Sequence, residues 1–135
     1  MVDDAEAARA ALRLQGIVLD TPDPVALAAF YVRLLGFTYR SEDPDWVVLL
    51  SPDGGAGLSF QREDAYVAPV WPAGPGDPAM MVHLDVEVDD LTAAVAWAQE
   101  CGARLADHQP QHDVRVCLDP DGHPFCLYVE DSATP

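Results

Sequence analysis

The tetrapeptide Ser51-Pro52-Asp53-Gly54 returns as Asp119-Pro120-Asp121-Gly122, and the segment around Gln15 returns around His83, both at an offset of 68 residues. That interval is too long for a solenoid repeat of about 20–50 residues, so it marks a supersecondary module made twice. Duplication constrains the fold strongly. A single small sheet leaves a face uncovered, so two copies must pack together, and curved sheets around a shared cleft are expected.

Each copy reads as βαβββ. In the first, Leu12–Leu19 alternates as a strand. Asp23 is a helix N-cap with Pro24 at the first helical position. Val25, Leu27, Phe30, Tyr31 and Leu34 have helical spacing, and Gly36 ends the helix. A strand from Phe37, a loop at 41–45, a strand from Trp46, a turn at 51–55 and a strand over Leu58–Gln61 complete the module. The second copy has a strand at 82–88, an N-cap at Asp90, and a helix carrying Leu91, Val95 and Ala98 that stops at Gly102. Strands near Ala103–Ala106, over Val114–Leu118 and over 125–130 follow, the last after a turn at 119–122. Residues 3–11 read as a short amphipathic helix or a frayed tail. The proline-rich stretch 62–79 reads as the linker, and Tyr66 and Trp71 within it predict that it packs as a lid. The expected organisation is one α+β domain over 1–135, with modules at 12–61 and 80–130.

With 7 basic and 23 acidic residues, a formal charge of −16, the chain is a poor partner for nucleic acid, which needs a basic surface. The acidity serves solubility first and steering of cationic ligands second. No apolar run approaches the roughly 18 residues of a membrane span. The N-terminal segment does not read as a secretory signal, so a cytoplasmic setting is expected. Cys101, Cys117 and Cys126 form no CxxC motif and read as reduced, buried thiols. His112 and His123 sit in or beside loops and are expected to be solvated. No nucleophile with its base is apparent, and DGGAG at 53–57 lacks the residues of a phosphate loop.

Three segments carry a family resemblance: AFYVRLLGF at 29–37, HLDVEVDDLTAAVAWAQECGA at 83–103 and DPDGHPFCLYVE at 119–130. Over roughly 12–130 the chain resembles the vicinal oxygen chelate superfamily, with the glyoxalase/bleomycin resistance/dihydroxybiphenyl dioxygenase fold, and in particular its glyoxalase-like branch. The resemblance implies a cleft and a small-molecule ligand. It also implies a range of functions: metal-dependent glyoxalase I, dioxygenases, fosfomycin thiol transferases and metal-free bleomycin-binding proteins. Shared fold does not choose among them.

The metal enzymes of the family draw one ligand from the first and one from the last strand of each module. The matching first-strand positions here are Gln15 and His83. The matching last-strand position is Cys126 in module two and Gly57 or Leu58 in module one. The carboxylate ligands are missing, so no catalytic metal is expected. Were zinc, nickel, manganese or iron bound, Gln15, His83 and Cys126 would be the ligands, with Asp85 and Glu87 on the same side of the strand as His83. The expected cleft is lined by Gln15, Ile17, Leu19, His83, Asp85, Glu87, Cys126 and Tyr128, and bordered by Trp46, Phe60, Trp71 and Arg115. Carboxylates beside aromatic rings favour a cationic or flat ligand. The leading expectation is a small-molecule-binding protein that sequesters a drug or metabolite. A metal-dependent lyase or dioxygenase with an atypical site, and a non-catalytic accessory domain, are the alternatives. A C2 homodimer is the expected assembly.

Overall fold

The computed structural model describes residues 10–130. Its elements run β1 (Gly16–Thr21), α1 (Pro24–Leu35), β2 (Thr38–Asp43), β3 (Trp46–Leu50), β4 (Gly57–Arg62), β5 (Leu84–Glu87), α2 (Leu91–Cys101), β6 (Arg104–Leu105), β7 (Val114–Leu118) and β8 (Pro124–Tyr128). This is two βαβββ modules. Module one forms a sheet of order β1-β4-β3-β2 and module two a sheet of order β5-β8-β7-β6. In each, the first and last strands are parallel and the other pairings antiparallel.

Local chemistry sets both helices. Asp23 and Asp90 accept hydrogen bonds from the amides of Ala26 and Ala93, and Gly36 and Gly102 end the helices in left-handed backbone. The buried face of α1 carries Leu27, Phe30 and Tyr31, which join Val47, Leu49, Leu58 and Phe60 of its own sheet. Tyr31 stacks on Phe60 with ring centroids 5.7 Å apart. Phe30 meets Phe125 edge-on at 6.2 Å, so the helix-covered faces of both sheets share one core. Burying a ring of this size contributes about 1.5–3 kcal/mol.

Several strand limits differ from those the sequence predicts. β1 starts at Gly16 rather than Leu12, because its pairing partner β4 starts at Gly57. The loop expected at 41–45 shrinks to Pro44-Asp45: Asp43 pairs with Trp46, and the polar run forms the exposed outer strand of a hairpin. Polar edge strands of this kind discourage pairing with other chains. β5 is limited to Leu84–Glu87, β6 to two residues, and β8 to Pro124–Tyr128. The helix expected at 3–11 lies outside the described residues, apart from Ala10 and Ala11, which belong to no element.

Residues 63–83 contain no helix or strand. The segment is tied internally by Val70 N to Pro78 O at 2.8 Å and Gly74 N to Asp77 Oδ2 at 2.9 Å. Tyr66 fastens it to module two by donating its hydroxyl to Asp121 O at 2.9 Å.

Candidate functional site

The sheet register decides which side chains face the helices and core and which face away from them. Parallel pairing aligns Ile17 with Leu58 and, one module later, Leu84 with Phe125. The buried last-strand residues Leu58 and Phe125, and the helix N-caps Asp23 and Asp90, stand 67 residues apart, so the modules match at 67 and not 68. Leu58 lies four positions after Gly54 and Phe125 three positions after Gly122, so an offset of 68 counted through the turn slips by one. A one-residue slip exchanges the two faces of a strand. The counterpart of His83 is therefore Gly16, not Gln15. The counterpart of Cys126 is Ser59, neither Gly57 nor Leu58.

This register corrects the expected lining. Leu19, expected in the cleft, is buried, and its partner Phe60 is wholly buried against Tyr31. Gln15 is exposed ahead of β1 and borders a separate small depression with Arg13, Arg40 and Ser51. Ile17 pairs with buried Leu58 and so shares the core-side parity. Trp46 pairs with Gln61 in the other sheet, on the face of Ser59 and Val48. Trp71 packs on His108 with ring centroids 5.5 Å apart. Arg115 pairs with buried Leu127 and borders a groove beside Leu91 and Val95 of α2, on the helix side of the sheet. Its guanidinium donates to the carbonyls of Gln111, His112 and Val114.

What the fold does bring together is the module-two face of β5 and β8. His83 stands just ahead of β5, two residues before Asp85, and Asp85 pairs directly with Cys126 on β8. His83 Nε2 lies 3.1 Å from Asp85 Oδ1. One donor atom each from His83, Asp85 and Cys126 lie within 4.8 Å of one another. With Gln111, Asp113 and Tyr128 they border a depression of about 250 Å³. Glu87 pairs with Tyr128 on the same face, one step further along. Burial first, and then the negative charge and hydrogen bond of Asp85, hold the Cys126 thiol above its ordinary pKa.

The residues present do not fit a metal centre built from both modules. A Cβ at Gly16 would stand 2.8 Å from the Gly57 carbonyl oxygen, so no side chain can be presented where His83 stands in module two. Ser59 is buried and offers only a neutral hydroxyl. Module one therefore supplies neither an imidazole nor a carboxylate at the matching positions.

A second cluster escaped the sequence reading. His123, expected to be solvated, is largely buried: its side chain is 14% exposed. Its Nδ1 lies 2.8 Å from Asp119 Oδ2 and its Nε2 2.8 Å from Asp20 O. Asp119 is fully buried and also accepts from Tyr31 Oη at 2.7 Å. Thr21 donates to Asp121 at 2.6 Å. Asp119, Asp121 and His123 of module two thus meet the end of β1 and α1, and Tyr66 of the linker caps the cluster from Asp121 O and His123. His123, Tyr66, Asp20, Val18 and residues 80–82 border a further depression of about 220 Å³. The available signal was Asp119 four residues before His123 across a tight turn, a spacing that points the histidine back at the carboxylate.

The paired βαβββ modules define a protein of the vicinal oxygen chelate class. The glyoxalase-like domain model matches residues 16–128, and the chain belongs to that family. No curated protein matches it in sequence. Among solved structures it is similar to a glyoxalase/bleomycin resistance protein/dioxygenase family enzyme from Burkholderia phytofirmans PsJN, at 20% identity and TM-score 0.68, covering 87% of this chain and 98% of that one. A possible glyoxalase from Bacillus cereus is similar at 15% identity and TM-score 0.64, with coverage of 87% and 99%. The fosfomycin resistance protein FosX from Mesorhizobium loti is similar at 12% identity and TM-score 0.61, with coverage of 89% and 93%. At these identities the likeness is one of fold. Among the described residues no helix is long and apolar enough to cross a membrane.

Proposed function

We propose that this protein binds a small cationic organic molecule on the concave face of module two and sequesters it, without the two-module metal chemistry of its enzyme relatives. The observation that carries this reading is the lining of the depression. Asp85 and Asp113 supply negative charge, Tyr128 supplies an aromatic edge, and no arginine is among the lining residues. Carboxylates beside an aromatic ring attract an organic cation by charge and by the ring quadrupole. The overall charge of −16 raises its local concentration. The proposal includes a cytoplasmic setting, where the three thiols stay reduced, and a C2 homodimer.

The test is a thermal-shift screen of aromatic amines and quaternary ammonium compounds in the presence of a chelator. A ligand that binds only the folded state raises the melting temperature by mass action. The expected result is a saturable rise for at least one cation, lost in His83→Ala and kept in Gln15→Ala. No rise across the screen, or a rise untouched by His83→Ala, removes this face as the ligand site.

A further inference from the structure

We infer that module two carries a self-contained site for a thiophilic divalent cation, formed by His83, Asp85 and Cys126, in place of a centre shared between modules. The inference uses the same depression as the proposed ligand site but needs no organic ligand.

Three observations converge on it. The donor atoms are an imidazole nitrogen, a carboxylate oxygen and a sulfur, all within 4.8 Å of one another. Tetrahedral zinc, with bonds of roughly 2.0–2.3 Å, holds its donors about 3.5 Å apart, so small rotations of three side chains suffice. The backbone already fixes their common side. His83 immediately precedes β5, two residues before Asp85, and Cys126 is the paired residue of Asp85 on β8. Finally, module one is excluded by its own packing, because the position matching His83 is a glycine with another backbone against it.

The donor set selects the metal. A thiolate disfavours magnesium, calcium and manganese and favours zinc, cobalt or cadmium. Three protein donors leave at least one coordination position for water or a ligand atom, and that position opens into the depression shared with Gln111 and Asp113. As the metal–sulfur bond forms, the Cys126 thiol proton leaves to solvent, so binding releases one proton and weakens as the pH falls.

The experiment is a titration of the full-length, chelator-treated protein with cobalt(II), read by absorption. Thiolate ligation gives a near-ultraviolet charge-transfer band, and four-coordinate cobalt gives intense visible bands. One equivalent should produce both, and zinc should displace the cobalt while magnesium does not. Cys126→Ser should abolish the near-ultraviolet band, Asp85→Asn and His83→Ala should weaken binding about tenfold or more, and Gln15→Ala should change nothing. Urea midpoints of the variants show that they are folded, with Cys126→Ala in reserve should the serine variant be unstable. Absence of cobalt uptake by the folded protein overturns the proposal. So does a charge-transfer band that survives Cys126→Ser, which would assign it to Cys101 or Cys117, or a loss of affinity in Gln15→Ala. Normal cobalt binding with no response to any organic cation would remove only the sequestration reading.

Discussion

The phenol of Tyr31, in the third turn of α1, donates to the carboxylate of Asp119, beyond the end of β7, at 2.7 Å across 88 residues of chain. Both side chains are buried, and the bond ties the helix of module one to the tight turn of module two. The same carboxylate takes the amides of Asp121 and His123 and the ring of His123. Burial, then the charge of Asp119 and the hydrogen bond to it, push the Tyr31 phenol well above its ordinary pKa, so it stays a donor.

Tyr31→Phe keeps the stacked ring and removes one donor from a buried carboxylate. A charge-assisted hydrogen bond of this kind contributes about 1.5–3 kcal/mol. The urea midpoint should fall accordingly with an unchanged m-value. A loss under about 0.5 kcal/mol would mean that Asp119 is satisfied without Tyr31.

His123 gives the fold a pH dependence. Both ring nitrogens face acceptors, Asp119 and the Asp20 carbonyl, which fits the doubly protonated ring. Burial pulls its pKa down, but the hydrogen bond and charge of Asp119, the Asp20 carbonyl and the charge of Asp121 together leave it raised above 6.5. A raised folded value stabilises the protein fully below the unfolded value and loses that contribution as the pH rises through the folded one. The stability difference between the natural chain and His123→Gln should be largest below about pH 6.5 and shrink above it. A difference that is flat from about pH 5.5 to 8.5 would show that folding leaves the proton affinity of the ring unchanged.

Gly57 starts β4 with its backbone against β3. An added Cβ would stand 2.1 Å from the Leu49 carbonyl oxygen. Gly57→Ala should therefore cost about 2–4 kcal/mol by strand separation. Gly54→Ala makes a control: no atom crowds it, and only its positive φ opposes the change. Equal melting temperatures for Gly57→Ala and the natural chain would refute the close approach on which the module-one register rests.

The helices were legible because their signals are local. Asp23, Pro24 and Gly36, and Asp90 and Gly102, act through bonds within one turn of themselves, and no distant residue alters them. The strands were legible in number but not in extent, because a strand lasts only as long as its partner does. Arg13, Leu14 and Gln15 continue the alternation of β1, yet β4 has nothing to pair with them beyond the single bond from Gly57 N to Gln15 O. Glu42 and Asp43 look like loop residues and are held in a strand by Val47 and Trp46.

By itself, the sequence determined a duplicated βαβββ chain, the limits of both helices, and the common side of His83, Asp85 and Glu87, since alternation along one strand fixes that without any partner. Tertiary structure alone decided which residues of module one match them. The first and last strands pair over the same span in both modules, and their buried residues match at an offset of 67 rather than 68, which takes Gln15 out of the alignment and leaves Leu19 and Phe60 in the core. It also decided the fate of His123, which lies beside a turn in sequence but is enclosed by Asp20, Tyr66 and Asp119, brought together from three separate parts of the chain. Register and enclosure depend on pairing between distant segments, and no local pattern encodes that pairing.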